Sequence, residues 1–102
     1  SKKKIRNFNK GNVHIENKLD LHGFTETEAK NKLENFIVQS VEEKKRLVLV
    51  ITGKGKDNEG VIKKNIINWL NIKELRSKIL AVNYASNMHG GSGALYIFLK
   101  KF

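Results

Sequence analysis

The chain has 102 residues, 39% of them hydrophobic, with 20 Lys and Arg against 10 Asp and Glu. That length and apolar share fit one domain with a single modest core and exclude a disordered tail. Zero cysteines exclude disulfides and thiolate metal sites, and no apolar stretch approaches the ~18 residues that span a membrane.

A formal net charge of +10 favours an anionic partner, nucleic acid above all. The rival reading is a solubility device or the lysine-rich habit of an AT-rich genome. Position argues for the first. Residues 1–18 hold six Lys or Arg and one Glu, residues 26–46 hold five of each sign, and residues 53–102 carry the rest of the excess. The chain opens on basic and polar residues, without a signal-peptide pattern. A cytoplasmic monomer without membrane contact is expected.

Residues 1–16 read as a basic arm, with Lys2, Lys3, Lys4, Arg6 and Lys10, and residues 17–102 as the domain. Lys18 to Leu21 alternates and reads as a first strand. Thr25 offers an N-cap oxygen and Glu28 completes a capping box. Ala29, Leu33, Phe36, Ile37 and Val41 follow at helical spacing. Leu47 to Ile51 is an unbroken, largely β-branched run ended by glycine, which predicts a strand buried on both faces. Gly53 to Gly60 reads as a polar loop. Ile62, Ile66, Trp69 and Leu70 give a second helical stripe, with Trp69 in the core. Ile79–Ala85 and Ala94–Lys100 read as strands three and four, joined by a hairpin-like glycine segment.

The order β-α-β-α-β-β predicts an α/β fold with a mixed four-stranded sheet. The first three strands run the same way through crossovers, and the last pair is antiparallel. The carboxyl ends of strands one to three then share one edge, where open α/β sheets hold their ligands. That edge collects Asp20, His22 and Gly23, then Thr52, Gly53, Lys54, Gly55 and Lys56, then His89, Gly90, Gly91, Ser92 and Gly93.

The residue types at that edge suit phosphodiester chemistry. Asp20 and His22, two apart at a strand end, can face one way, and the carboxylate can then orient the imidazole and raise its basicity. Alone, such a pair is as readily a turn carboxylate and a loop cap. Gly53 and Gly55 permit backbone N–H groups to face an anion near a helix start, with Lys54 and Lys56 adding charge. The G-x-x-x-x-G-K-[ST] spacing of a P-loop is missing, which argues against nucleotide hydrolysis. Three glycines in the four residues 90–93 exceed the needs of a tight turn and allow a sugar–phosphate backbone to approach, with His89 at the rim as a second acid or phosphate donor. Asp20, His22 and His89 also make a two-histidine, one-carboxylate set, but without supporting ligand spacing no dedicated metal site is expected. Tyr84 and Tyr96 lie on strands, where an exposed ring near the glycine segment can stack bases.

Leu19-Asp20-Leu21-His22-Gly23, Thr52-Gly53-Lys54-Gly55 and His89-Gly90-Gly91-Ser92-Gly93-Ala94, in this order, resemble the three signature motifs of the Smr (small MutS-related) domain. The resemblance extends over roughly residues 17–101 and is most similar to the short bacterial stand-alone members. It implies a two-layer α/β sandwich similar to the C-terminal domain of bacterial translation initiation factor three. It also implies endonuclease activity, linked in that family to DNA nicking and to cleavage of messenger RNA on stalled ribosomes. By resemblance the catalytic pair maps onto Asp20 and His22, and the other two motifs onto substrate binding. RNA carries its own 2′-hydroxyl nucleophile and needs no metal, whereas DNA cleavage by water gains from Mg²⁺. The alternative is a non-catalytic nucleic-acid or ribosome-binding module.

Overall fold

A computed structural model describes residues 14–56 and 59–102. Most of the basic arm and loop residues Asp57 and Asn58 lie outside the described residues. The elements are β1 (Asn17–Asp20), α1 (Glu26–Glu42), β2 (Leu47–Ile51), α2 (Glu59–Leu70), α3 (Lys73–Arg76), β3 (Ile79–Tyr84) and β4 (Ala94–Leu99). Two 3₁₀ turns, Asn87–His89 and Gly91–Gly93, replace the expected hairpin-like connection. The single-turn helix α3 is absent from the sequence reading, because only Ile72 and Leu75 mark it.

The start and stop of α1 are set by local chemistry. Thr25 Oγ1 accepts from the Glu28 N–H, and the Thr25 N–H donates to Glu28 Oε1, the reciprocal bonds of a capping box. At the other end Lys44 adopts φ 62°. Its N–H donates to the Val41 carbonyl, and the Lys45 N–H to the Ser40 carbonyl. This is a Schellman stop with lysine where glycine is usual, and a left-handed non-glycine residue costs about 1–2 kcal/mol.

The sheet order is β1-β2-β4-β3. β1 pairs parallel with β2, and β4 inserts antiparallel between β2 and β3. Strands β1, β2 and β3 therefore run in one direction, as the crossover argument requires, and their carboxyl ends meet at one edge with the start of β4. The helices pack on one face. Ala29, Leu33 and Ile37 of α1 join Ile62, Ile66 and Trp69 of α2 over Val48, Val50, Leu95 and Ile97. The other face of β2 and β4 presents Leu47, Leu49 and Tyr96, with Ile15, Ile51 and Phe98 packed against them. This explains why the β2 run is apolar at every position.

Fully burying a Leu or Ile side chain contributes about 1.5–3 kcal/mol, so the helix-side cluster dominates stability. Leu33, fully buried at its centre, is a direct probe. Leu33→Ala is expected to destabilise the fold by about 2–5 kcal/mol, read as a lower urea midpoint at unchanged slope. A midpoint equal to that of the parent chain would place the core elsewhere.

Candidate nucleic-acid cleavage site

Asp20 ends β1 and His22 follows two residues later. Asp20 Oδ1 lies 2.8 Å from His22 Nδ1 and also accepts the His22 backbone N–H at 3.0 Å. One carboxylate oxygen thus fixes both the ring and the backbone that carries it. With Nδ1 engaged, Nε2 is left for a ligand. The side chains are 65% and 45% exposed for His22 and Asp20, so the pair stands at the surface. Gly23, at φ 83° with open space about it, turns the chain toward the α1 cap as a residue with a Cβ would not.

Electrostatics follow from that geometry. The Asp20 hydrogen bond, then its charge, raise the His22 pKa above its ordinary value, and Glu59 adds a smaller push in the same direction. For Asp20, partial burial pushes upward, but the hydrogen bonds from the His22 backbone and ring outweigh it and hold the carboxyl low. A raised histidine pKa means that the folded chain favours imidazolium. That contribution is complete below the unfolded pKa of about 6.5 and disappears as pH rises through the folded value. Asp20→Asn removes the charge and is expected to move the His22 midpoint down toward about 6.5, followed through the ring proton by NMR. A midpoint that stays put would detach Asp20 from the imidazole.

The second motif departs from the sequence reading. Its backbone donors do not face outward. Lys54, Gly55 and Lys56 N–H groups all donate to Glu59 Oε1, at 3.1, 3.3 and 3.1 Å. The Gly53 N–H donates to the Gly93 carbonyl at 3.0 Å, as does the Thr52 N–H at 2.8 Å. Thr52 is buried, with its hydroxyl shared between the Gly53 and Gly93 carbonyls. The reason is general: main-chain donors find partners. Glu59, in the first turn of α2, brings a carboxylate where helix and loop donors favour an anion. Lys54 and Lys56 remain exposed. Glu59 was missed in the sequence, although an acidic residue opening a helix just after a glycine loop was the available signal.

The third motif is equally self-satisfied. His89 and Gly91 N–H groups donate to the Ser86 carbonyl, Gly90 to Asn87 and Gly93 to Gly90. Gly90 and Gly91 hold φ of 114° and 55°, and Ser92 is exposed between buried Gly91 and Gly93. His89 is tied through Nδ1 to the Tyr96 hydroxyl, which also meets Ser86 Oγ at 3.1 Å. Tyr96, 1% exposed, is therefore no stacking platform; Tyr84, 54% exposed, is the ring left at the surface. His89 lines a cleft on the helix-free face of the sheet with Lys18, Leu49 and Ile15. Among the described residues no three His, Cys, Asp or Glu side chains group to hold a metal. The set of Asp20, His22 and His89 does not assemble, and a divalent ion at the dyad would need substrate oxygens to complete its shell.

The motif edge carries Lys18, Lys54 and Lys56, with Lys32 reaching back over the Phe24 ring, beside Asp20, Glu26, Glu28 and Glu59. The described part of that edge carries no positive excess.

A family model described as the Smr domain matches residues 19–100. The chain belongs to the Smr family. Its members are nuclease-related, nucleic-acid-binding modules. Among solved structures, the chain is similar to YdaL, a stand-alone small MutS-related protein from Escherichia coli, at 27% identity and a TM-score of 0.80, over 99% of this chain and 77% of that one. It also shares the fold of the Smr domain of Thermus thermophilus MutS2, at 21% identity and a TM-score of 0.71, over 82% of this chain and 98% of that one. No curated protein matches the sequence. Among the described residues no helix is long and apolar enough to cross a membrane.

Proposed function

We propose that this Smr chain is an endonuclease that cleaves RNA through His22, oriented by Asp20. The observation that carries the reading is the 2.8 Å bond from Asp20 to His22 Nδ1, which leaves Nε2 exposed at the edge where three strands deliver the family motifs. Neutral His22 takes the proton of the 2′-hydroxyl as that oxygen attacks phosphorus. The imidazolium so formed, stabilised by Asp20, returns the proton to the departing 5′-oxygen. Lys54 and Lys56 contact the phosphates through their side chains, since the loop N–H groups are held by Glu59. His89 Nε2, with Nδ1 tied to Tyr96, adds a donor, and the Gly90–Gly93 segment lets the backbone approach. The chain's own chemistry suffices for RNA. Nicking of DNA requires water as nucleophile, where Mg²⁺ is of use. Ribosome-bound RNA in the cytoplasm is a substrate consistent with this chemistry.

A second reading, a binding module without cleavage, is favoured by one observation: the N–H groups suited to a scissile phosphate are already occupied by Glu59. Incubation with labelled single-stranded RNA, structured RNA and supercoiled DNA, in Mg²⁺ and in EDTA, separates the two. RNA cutting in EDTA that is lost in His22→Ala supports the endonuclease. Binding of all three without a cut supports the module, and DNA nicking that requires Mg²⁺ moves the substrate from RNA to DNA.

A further inference from the structure

A group of cations lies at the end of the sheet opposite the motif edge. Strands β2 and β3 begin there and β4 ends there, so topology gathers Lys44, Arg46, Lys78, Lys100 and Lys101 from three separate stretches of sequence. Lys44, Arg46, Lys100 and Lys101 line one cleft together with Val41 and Phe102. Among the described residues the ion pairs are His22 with Asp20 and Lys30 with Glu34, and none of the four cations in the cleft belongs to either. Four carboxylates, Glu16, Glu42, Glu43 and Glu74, flank them. Glu16 accepts the Arg46 and Leu47 backbone N–H groups, and Glu43 accepts from Gln39. Glu42 and Glu74 remain on the flanking helices.

A second, independent observation concerns Lys44. It is the single non-glycine residue with positive φ among the described residues, at a helix stop where glycine would fit without strain. A cation kept at a conformational cost points to use of the cation. Arg46 is held in place as well, its Nε donating to the Leu99 carbonyl at 3.2 Å. Phe102 is 73% exposed beside them, and a ring next to clustered cations suits a base stacked beside its phosphates.

We infer that this pole is a second nucleic-acid contact, where Lys44, Arg46, Lys100 and Lys101 grip the phosphates of a single strand and Phe102 stacks a base, roughly 20 Å from the dyad along the strands. The inference rests on the nucleic-acid reading of the family and places the grip and the chemistry at opposite ends of the sheet. A strand reaching both ends is held by charge at one and presented to His22 at the other.

The test uses the full chain and a labelled single-stranded RNA of about 16 nucleotides, with affinity measured across salt concentrations. Lys100→Glu with Lys101→Glu is expected to weaken binding about tenfold and to flatten the log–log salt slope by about 0.7 for each phosphate no longer neutralised. Lys44→Gly is expected to raise Tm by a few degrees while lowering affinity about two- to threefold. A merely structural lysine would raise Tm and leave affinity alone. Parent-like binding by both variants, against a parent chain that does bind RNA, overturns the second contact and leaves the endonuclease reading standing. A parent chain that fails to bind RNA overturns both.

Discussion

His22→Ala is expected to lower the RNA cleavage rate by about 10²–10⁴-fold, the usual worth of a positioned acid–base group, with RNA affinity within about twofold of the parent. The asymmetry follows from placement. His22 Nε2 is the only part of the dyad offered to substrate in the proposed mechanism, whereas affinity derives from lysines in other elements. Asp20→Ala leaves the imidazole in place but unheld, so a smaller loss is expected, with the acid limb of the pH–rate profile moved to lower pH. The sign is fixed by the structure: Asp20 raises the His22 pKa, and a base with a lower pKa reaches its neutral form at lower pH. Cleavage at the parent rate by His22→Ala would end the proposed role. Equal loss of cleavage and of affinity would make His22 a binding residue.

The arrangement of the site was readable where a physical rule links sequence to space. Two strand–helix–strand passages fix β1, β2 and β3 in one direction, so Asp20, Thr52 and Tyr84 had to end at a common edge. The Thr25–Glu28 capping box placed the start of α1 to the residue. Leu47–Ile51, apolar at every position, announced a strand with clusters on both faces, and Trp69 took its place in the helix-side core. What escaped is set by contacts between distant residues. Nothing in the spacing of Lys54, Gly55 and Lys56 says that their donors are already taken, because the acceptor belongs to the next helix. The tie between His89 and Tyr96 depends on how the 3₁₀ turns fold back on β4, which glycine content alone does not specify. The later lysines are a related case. Sequence distance from the motifs is not spatial distance, and Lys100 and Lys101 follow the third motif in the chain yet sit a full strand length away from it.

Gly93→Ala carries the second large expected effect, because it acts on the contact that joins the two glycine motifs. The Gly93 carbonyl accepts the Thr52 and Gly53 N–H groups, so the start of β4 and the end of β2 are drawn together over bare backbone. A Cβ at Gly93 would lie 3.1 Å from the Gly53 carbonyl carbon, 3.2 Å from its oxygen and 2.9 Å from Lys54 Cγ. The lysine stem can swing aside, but the Gly53 carbonyl accepts the Thr52 hydroxyl and the Gly53 N–H is bonded to the Gly93 carbonyl, so this backbone cannot yield without loosening those bonds. Overpacking of this kind costs about 1–3 kcal/mol, and here the displaced group is the loop that carries Lys54. Gly93→Ala is therefore expected to lower the unfolding free energy by that amount, read as a lower urea midpoint, and also to cut RNA affinity, whereas Ser92→Ala, one residue earlier and exposed, leaves stability unchanged. The pair of readouts matters: a stability loss with parent-like affinity would mean that the second motif's position is not needed for binding, and parent-like values in both would mean that the two motifs tolerate separation.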